Sequence, residues 1–219
     1  MIIAVDGPAA SGKGTVSRRL SERFNLAFLD TGLIYRAATK NVLQKKISPF
    51  NMNAVIDEIK KFDLREIFGN DLRTPEISST APLIAKIAEV REILNQTQRD
   101  FAHNPPPGRH GTVLDGRDIG TTICPDADVK LFVTANLKTR AGRRYKELVS
   151  QGVKTSFQAV HRDLRRRDEE DASRSASPLR MAEDAIVLDT TDMSIEEAVT
   201  AAFAAVEAKT GTSRPGSAE

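Results

Sequence analysis

Nowhere does the sequence hold the run of about 18 consecutive apolar residues that a membrane span needs. Its opening MIIAV meets Asp6 after five residues, too early for a secretory leader. No membrane partner is expected, and the expected compartment is the cytoplasm. Cysteine is nearly absent. Cys124 stands alone, so it can form no intramolecular disulfide and has no metal-ligand spacing around it, in keeping with a structural residue in a reducing compartment. The three histidines, His103, His110 and His161, form no cluster and are read as surface or structural residues. A large charge of one sign is also missing. With 32 Lys and Arg against 30 Asp and Glu, the net charge of +2 argues against a dedicated nucleic-acid binder.

What remains is ordinary for one globular domain of 219 residues, 40% hydrophobic and 28% charged. The charge is unevenly spread. Residues 140–180 carry eleven Lys or Arg against six Asp or Glu, a basic segment suited to a compact anionic ligand.

MIIAVD is a short apolar run that ends in a glycine-rich turn, and KGTVSRRLSERF follows with Val16, Leu20 and Phe24 at helical spacing. LAFLD and TGLIYRAATKNVL repeat the pattern, with Thr31 as the expected helix cap. Two strand-then-helix units in succession predict an α/β fold with a parallel sheet and ligands at the carboxyl ends of its strands. TVLD, VKLFVTA and AIVLDTT supply three more strands. A short helix is expected around Met52 to Phe62, beside turn formers at Ser48, Pro49, Gly69 and Asn70. One long helix is expected from about Ala81 to Ala102, stopped by the prolines of HNPPPG. Arginine-rich helices are expected over about 137–150 and 156–170. Ser194 and Glu197 form a capping box before a last helix, and a disordered tail is expected from Lys209.

Residues 7–15, Gly7, Pro8, Ala9, Ala10, Ser11, Gly12, Lys13, Gly14 and Thr15, satisfy GxxxxGK between a strand and a helix. That context lets backbone N–H groups and a helix N-terminus hold phosphate oxygens while Lys13 spans the terminal phosphates. The motif ordinarily continues with Ser or Thr, but here Gly14 follows the lysine and the hydroxyl moves one place to Thr15. A shift of one residue rotates it by about 100° around the helix while keeping it in the first turn, within reach of phosphate or of a magnesium-bound water. No direct protein ligand for the metal is expected. LDTGLIYR places Thr31, Tyr35 and Arg36 at one strand end, and LDGRDIGT places Asp115, Gly116, Arg117 and Asp118 at another, so Arg36 and Arg117 can hold a second phosphate.

In order along the chain, GPAASGKGT, LDTGLIYR, RTPEI, Val90–Arg91, LDGRDIGT, CPDAD and RRDEEDASRSASPL resemble bacterial cytidylate kinase across most of residues 1–205. The resemblance implies a three-layer P-loop kinase fold over 1–208, with an acceptor-binding subdomain at about 31–103, an arginine-rich lid at about 140–175, and residues 209–219 as tail. It implies ATP and Mg²⁺, with CMP and dCMP as acceptors. It puts Thr31, Arg36 and Arg117 on the acceptor phosphate side, Arg91 and Asp118 at the cytosine, Arg167 and Asp171 at the sugar, and Arg174 at the mononucleotide and the transferring phosphate, with Tyr35 and Gly116 also binding CMP. Lys13, Arg117, Arg167 and Arg174 would be catalytic, with Arg140, Arg143 and Arg144 over the donor phosphates. Two departures stand out. Pro82 occupies the place of a serine that the family usually offers the base, leaving Thr80, Ser79 or water to substitute, and the segment 45–80 lacks a clear extra hairpin, which predicts a reduced acceptor-side insert.

The residues leave two other readings open: a P-loop kinase for AMP, UMP or a metabolite hydroxyl, and a GTPase switch or nucleotide-sensing module. A hydroxyl acceptor calls for a general base. A GTPase calls for an NKxD guanine-reading motif, which the sequence does not contain. Small-molecule partners and a monomer are the default expectation.

Overall fold

The computed structural model describes residues 1–67, 71–72, 74–174 and 177–211. They form two compact units, one built from Met1–Leu29 with Ala102–Glu219, the other from Asp30–Phe101.

The first unit holds a five-stranded sheet in the order β2-β3-β1-β4-β5, with β1 Ile2–Asp6, β2 Ala27–Asp30, β3 Thr112–Gly116, β4 Val129–Thr134 and β5 Ile186–Asp189. β1 pairs in parallel with β3 and β4, and β4 with β5. All five strands stand where the sequence predicts them. β3 is buried along its whole length and β1 from Ile3 to Asp6, because both faces are covered, as in central parallel strands. On one face, α1 (Lys13–Phe24) turns Val16, Leu20 and Phe24 inward, and α8 (Ile195–Thr210) adds Ala198, Val199, Ala202 and Val206. Ile3, Val5, Val113, Leu131 and Val133 meet them, and Phe24 packs edge-on to Phe203 with ring centres 6.1 Å apart. The Ser194–Glu197 capping box forms as expected. α8 continues through Lys209 and Thr210, which the sequence suggested as tail, and ends at Gly211 in a left-handed conformation; residues 212–219 lie outside the described residues.

Two basic helices complete this unit: α6 (Leu137–Ser150), capped by Asn136, and α7 (Phe157–Ser173), capped by Ser156. Their shared apolar seam is Ala141, Val160 and Leu164, with Ala9 of the glycine loop packed against it. A π-helical turn at Ile119–Ile123, absent from the sequence reading, follows β3.

The second unit is helical: α2 (Thr31–Gln44), α3 (Met52–Ile59), a 3₁₀ turn at Leu64–Ile67, α4 (Pro75–Ile84) and α5 (Ala88–His103), whose last two residues belong to the first unit. Asp30, rather than Thr31, caps α2 by accepting the Gly32 N–H at 3.0 Å. The single helix expected from Ala81 to Ala102 is two. Thr74 caps α4 and Pro75 opens it, a favourable first-turn pair, so the helix starts well before Ala81 and carries Pro82 inside it. It then tightens into i→i+3 bonds from Lys86 and Ile87, and α5 starts afresh. Gly69, Asn70 and Arg73, to which the sequence reading assigned turns and a motif, lie outside the described residues.

Candidate active site

β1 delivers the chain to Gly7 against the neighbouring strand. A side chain at Gly7 would put its Cβ 2.0 Å from the Val133 carbonyl oxygen, so only glycine lets the loop leave the sheet here. Gly12 stands immediately before α1 with φ 92°, a left-handed conformation that needs glycine, and contributes no side chain to cap the helix. The first-turn N–H groups of α1 therefore carry no side-chain cap and bear the partial positive charge of a helix N-terminus, as a phosphate oxygen requires.

Lys13 Nζ lies 2.9 Å from Asp115 Oδ1 at the carboxyl end of β3. This contact explains the glycine after the lysine. A Cβ on Gly14 would sit 3.3 Å from Asp115 Oδ2, tighter than ordinary van der Waals contact, so the bare position accommodates the carboxylate that holds the lysine. Thr15 is exposed in the first turn of α1. Asp115 is a functional candidate that the sequence reading quoted without assigning it a role. The signal was present: an acid at the tip of β3, the strand hydrogen-bonded to the one that enters the loop.

The loop's carbonyls are tied from behind. Arg140 on α6 donates from Nη1 to Ala9 O at 3.2 Å and from Nε to Ala135 O at 2.8 Å. It also makes a two-pronged pair with Asp168 on α7, at 3.1 and 2.6 Å. Arg143 donates to Thr190 Oγ1 at 2.9 Å, Thr190 O at 2.6 Å and Ser11 O at 3.4 Å, while the buried Thr190 hydroxyl also lies 2.9 Å from Ser11 O. These two arginines, read from sequence as phosphate ligands, here engage protein oxygens and fix the loop. Thr190 had no role in the sequence reading. Arg144 pairs with Glu147 one turn along at 2.8 Å.

β3 continues into the turn that carries Arg117 and Asp118. Arg117 donates from Nε to Asp171 Oδ2 at 2.9 Å and from Nη1 to its neighbour's carbonyl, Gly116 O, at 3.0 Å. Asp171, 1% exposed on α7, also takes Arg174 at 2.5 Å. Arg117 thus joins Asp171, 54 residues further along the chain, and its near neighbour Arg174 in one charged group. Arg167 is exposed on α7. Asp6, at the end of β1, is 5% exposed and accepts the N–H groups of Ile119 and Gly120, both at 2.8 Å. Burial, reinforced by the negative charges of Asp118 and Asp115, pushes its carboxyl up to about 6 against the pull of those two bonds.

Within the helical unit, Arg36 donates to Leu72 O at 3.1 Å and Ser78 Oγ at 3.0 Å. The Arg91 guanidinium lies 5.9 Å from the centre of the Tyr35 ring, and Thr31 is buried at the start of α2. Of the two expected stand-ins for the serine replaced by Pro82, Thr80 is buried and Ser79 donates to Glu76 O within its own helix. The histidines hold peripheral places: His103 is 3.7 Å from Asp126, and His161 packs on Phe157.

A parallel sheet whose first strand runs through a glycine loop into a helix, with a lysine in its first turn and an acid at the tip of the next strand, defines a P-loop nucleotide phosphotransferase. A profile of the cytidylate kinase family matches residues 3–208, and the chain belongs to that family. The cytidylate kinase of Bartonella bacilliformis is 46% identical over 206 residues, covering 94% of each chain. That of Methylocella silvestris is 47% identical over 216 residues, covering 99% of this chain and 98% of its own. The solved structure of TT1252 from Thermus thermophilus shares the fold at a TM-score of 0.52 and 16% identity, over 96% of this chain and 97% of the other. Among the described residues no helix is long and apolar enough to cross a membrane.

Proposed function

We propose that this enzyme transfers the γ-phosphoryl group of ATP to CMP and dCMP, giving ADP with CDP or dCDP. The observation that carries the reading is the pairing of the Lys13–Asp115 loop with the Arg117–Asp171–Arg174 cluster in a chain of the cytidylate kinase family. The loop's N–H groups and Lys13 bind the donor phosphates. Arg117 and Arg174, held by one buried carboxylate, are the cations for the acceptor phosphate and the moving group, and Arg167 on α7 is read as reaching the sugar. The helical unit is read as the acceptor-binding part, with Thr31, Arg36 and Arg91 its nucleotide contacts. The second dissociation of a nucleotide phosphate has a pKa of about 6, so the acceptor oxygen is already anionic at neutral pH and no general base is needed. What the residues must do is place two anions in line and offset their charge.

Oxygen donors suit magnesium, and the Asp115 carboxylate beside the loop with the Thr15 hydroxyl in the first turn of α1 fit its water shell. Bound with ATP, the ion spreads charge away from the transferring group. Asp118 is read as accepting from the cytosine amino group. Uracil offers a carbonyl there, which such a site can disfavour by as much as ~10⁴-fold. α6 and α7 are read as a lid that excludes water once both nucleotides are bound. Incubating the purified enzyme with ATP, Mg²⁺ and CMP and separating the nucleotides should yield CDP and ADP in equal amounts. ADP formed without CDP would overturn the reading.

A further inference from the structure

The π-helical turn Ile119–Ile123 starts at Asp118, yet the Asp118 side chain does not cap it. An aspartate in that place ordinarily turns its own carboxylate back onto the first N–H groups of the helix. Here a residue from another strand takes over. Asp6 accepts the Ile119 and Gly120 N–H groups, one on each carboxylate oxygen, both at 2.8 Å. The register puts this bond pair beside the reacting residues, since Asp6 lies opposite Gly116, which directly precedes Arg117 and Asp118.

We infer that Asp6 is a positioning residue for the acceptor: by capping the 119–123 turn from β1, it releases the Asp118 carboxylate from that duty and fixes the direction in which the Arg117–Asp118 pair is presented. The surroundings support a dedicated function. The charges that act on Asp6 are those of Asp118 on the turn and Asp115 on β3, both repelling it, and Lys13 is held by Asp115. The Lys130 stem on β4 lies against Gly120, and the Lys130 amine is drawn away to Asp184 at 2.9 Å. No cation offsets the buried carboxylate directly in these contacts, so two backbone N–H groups carry that task. A fold that needed only a filled space at this point would be served better by an uncharged side chain. Asp6 also stands one residue before the glycine loop, which ties the acceptor turn to the strand that carries the donor site.

The inference rests on the proposed CMP kinase reading, and the test separates the two. Production of CDP by the unaltered enzyme decides the reading by itself. In Asp6→Asn, which keeps the volume but can accept at only one atom, the KM for CMP should rise about tenfold or more, the loss expected for one charge-assisted bond. The KM for ATP should stay within twofold. A CMP KM within twofold of the unaltered enzyme, or a parallel rise in both KM values, would overturn the inference. Should Asp6→Asn fail to fold, amide exchange in the unaltered enzyme gives the answer. Ile119 and Gly120 should exchange at least about 100-fold slower than an unprotected amide, and unprotected exchange at both would overturn it.

Discussion

Arg117 shows how much a single side chain carries when its geometry is set by others. Its Nε is fixed by Asp171 and one of its terminal nitrogens by Gly116 O, so the guanidinium is held with little rotational freedom left to lose on binding. Replacing it by alanine should lower kcat by about 10²–10³-fold, the cost of removing one preorganised donor from charge developing in the transition state. ATP binding, measured by calorimetry, should persist, because the glycine loop does not depend on it; a near-normal rate would remove Arg117 from the site. Asp6 makes a different prediction, about stability. Its carboxyl is raised from 3.8 to about 6, so the folded protein holds this proton more tightly than the unfolded chain does. The contribution is therefore most favourable below about pH 4 and is lost as pH rises through about 6, by roughly 3 kcal/mol at most. Asp6→Asn should abolish that slope. Urea unfolding at pH 4.5 and 7.5 should show the variant gaining on the unaltered protein at the higher pH, and a constant difference would contradict the shift.

At the scale of elements, α6 and α7 form a brace behind the loop. Arg140 joins the Ala9 carbonyl to Asp168, and Arg143 joins the Ser11 carbonyl to Thr190, so the loop's carbonyls are occupied on one side and its N–H groups are left to the other. Arg140→Met should raise the KM for ATP about tenfold while changing kcat only a few-fold, since a tether acts through the loop. A collapse of kcat with little change in KM would place Arg140 on the transferring phosphate instead. The strands, the helices α1, α6, α7 and α8, and the glycine loop were legible in the sequence, because each combines local apolar periodicity with a strong start or stop signal. Elements settled by tertiary contact were not. The helix expected from about Ala81 has Pro82 in its first turn, yet Thr74 and Pro75 start α4 further upstream and Pro82 sits inside it. The turn at Ile119–Ile123 has no local signature, since its cap comes from a residue 113 positions away. The sequence shows the charge of Arg140 and Arg143 but not the carbonyls that meet it.

For the molecule as a whole, the net charge of +2 hides a division of labour. Several arginines of residues 140–180 are paired within their own helices, Arg144 with Glu147, Arg165 with Glu169 and Arg166 with Asp163 and Glu170. Such exposed pairs contribute little individually and keep the surface near neutral. The pairs of the proposed site are more enclosed: half-buried Lys13 with buried Asp115, and half-buried Arg117 with buried Asp171. Each of these cations is held in place by a carboxylate, which suits an enzyme whose substrates are anionic nucleotides. The glycine after Lys13 belongs to the same arrangement, since it leaves space for the acid at the β3 tip. The account stands or falls on the acceptor. Measured with purified enzyme, ATP and Mg²⁺, with CMP, dCMP, UMP and AMP offered separately, kcat/KM should be highest for CMP and dCMP. Equal or better turnover of UMP or AMP would contradict it.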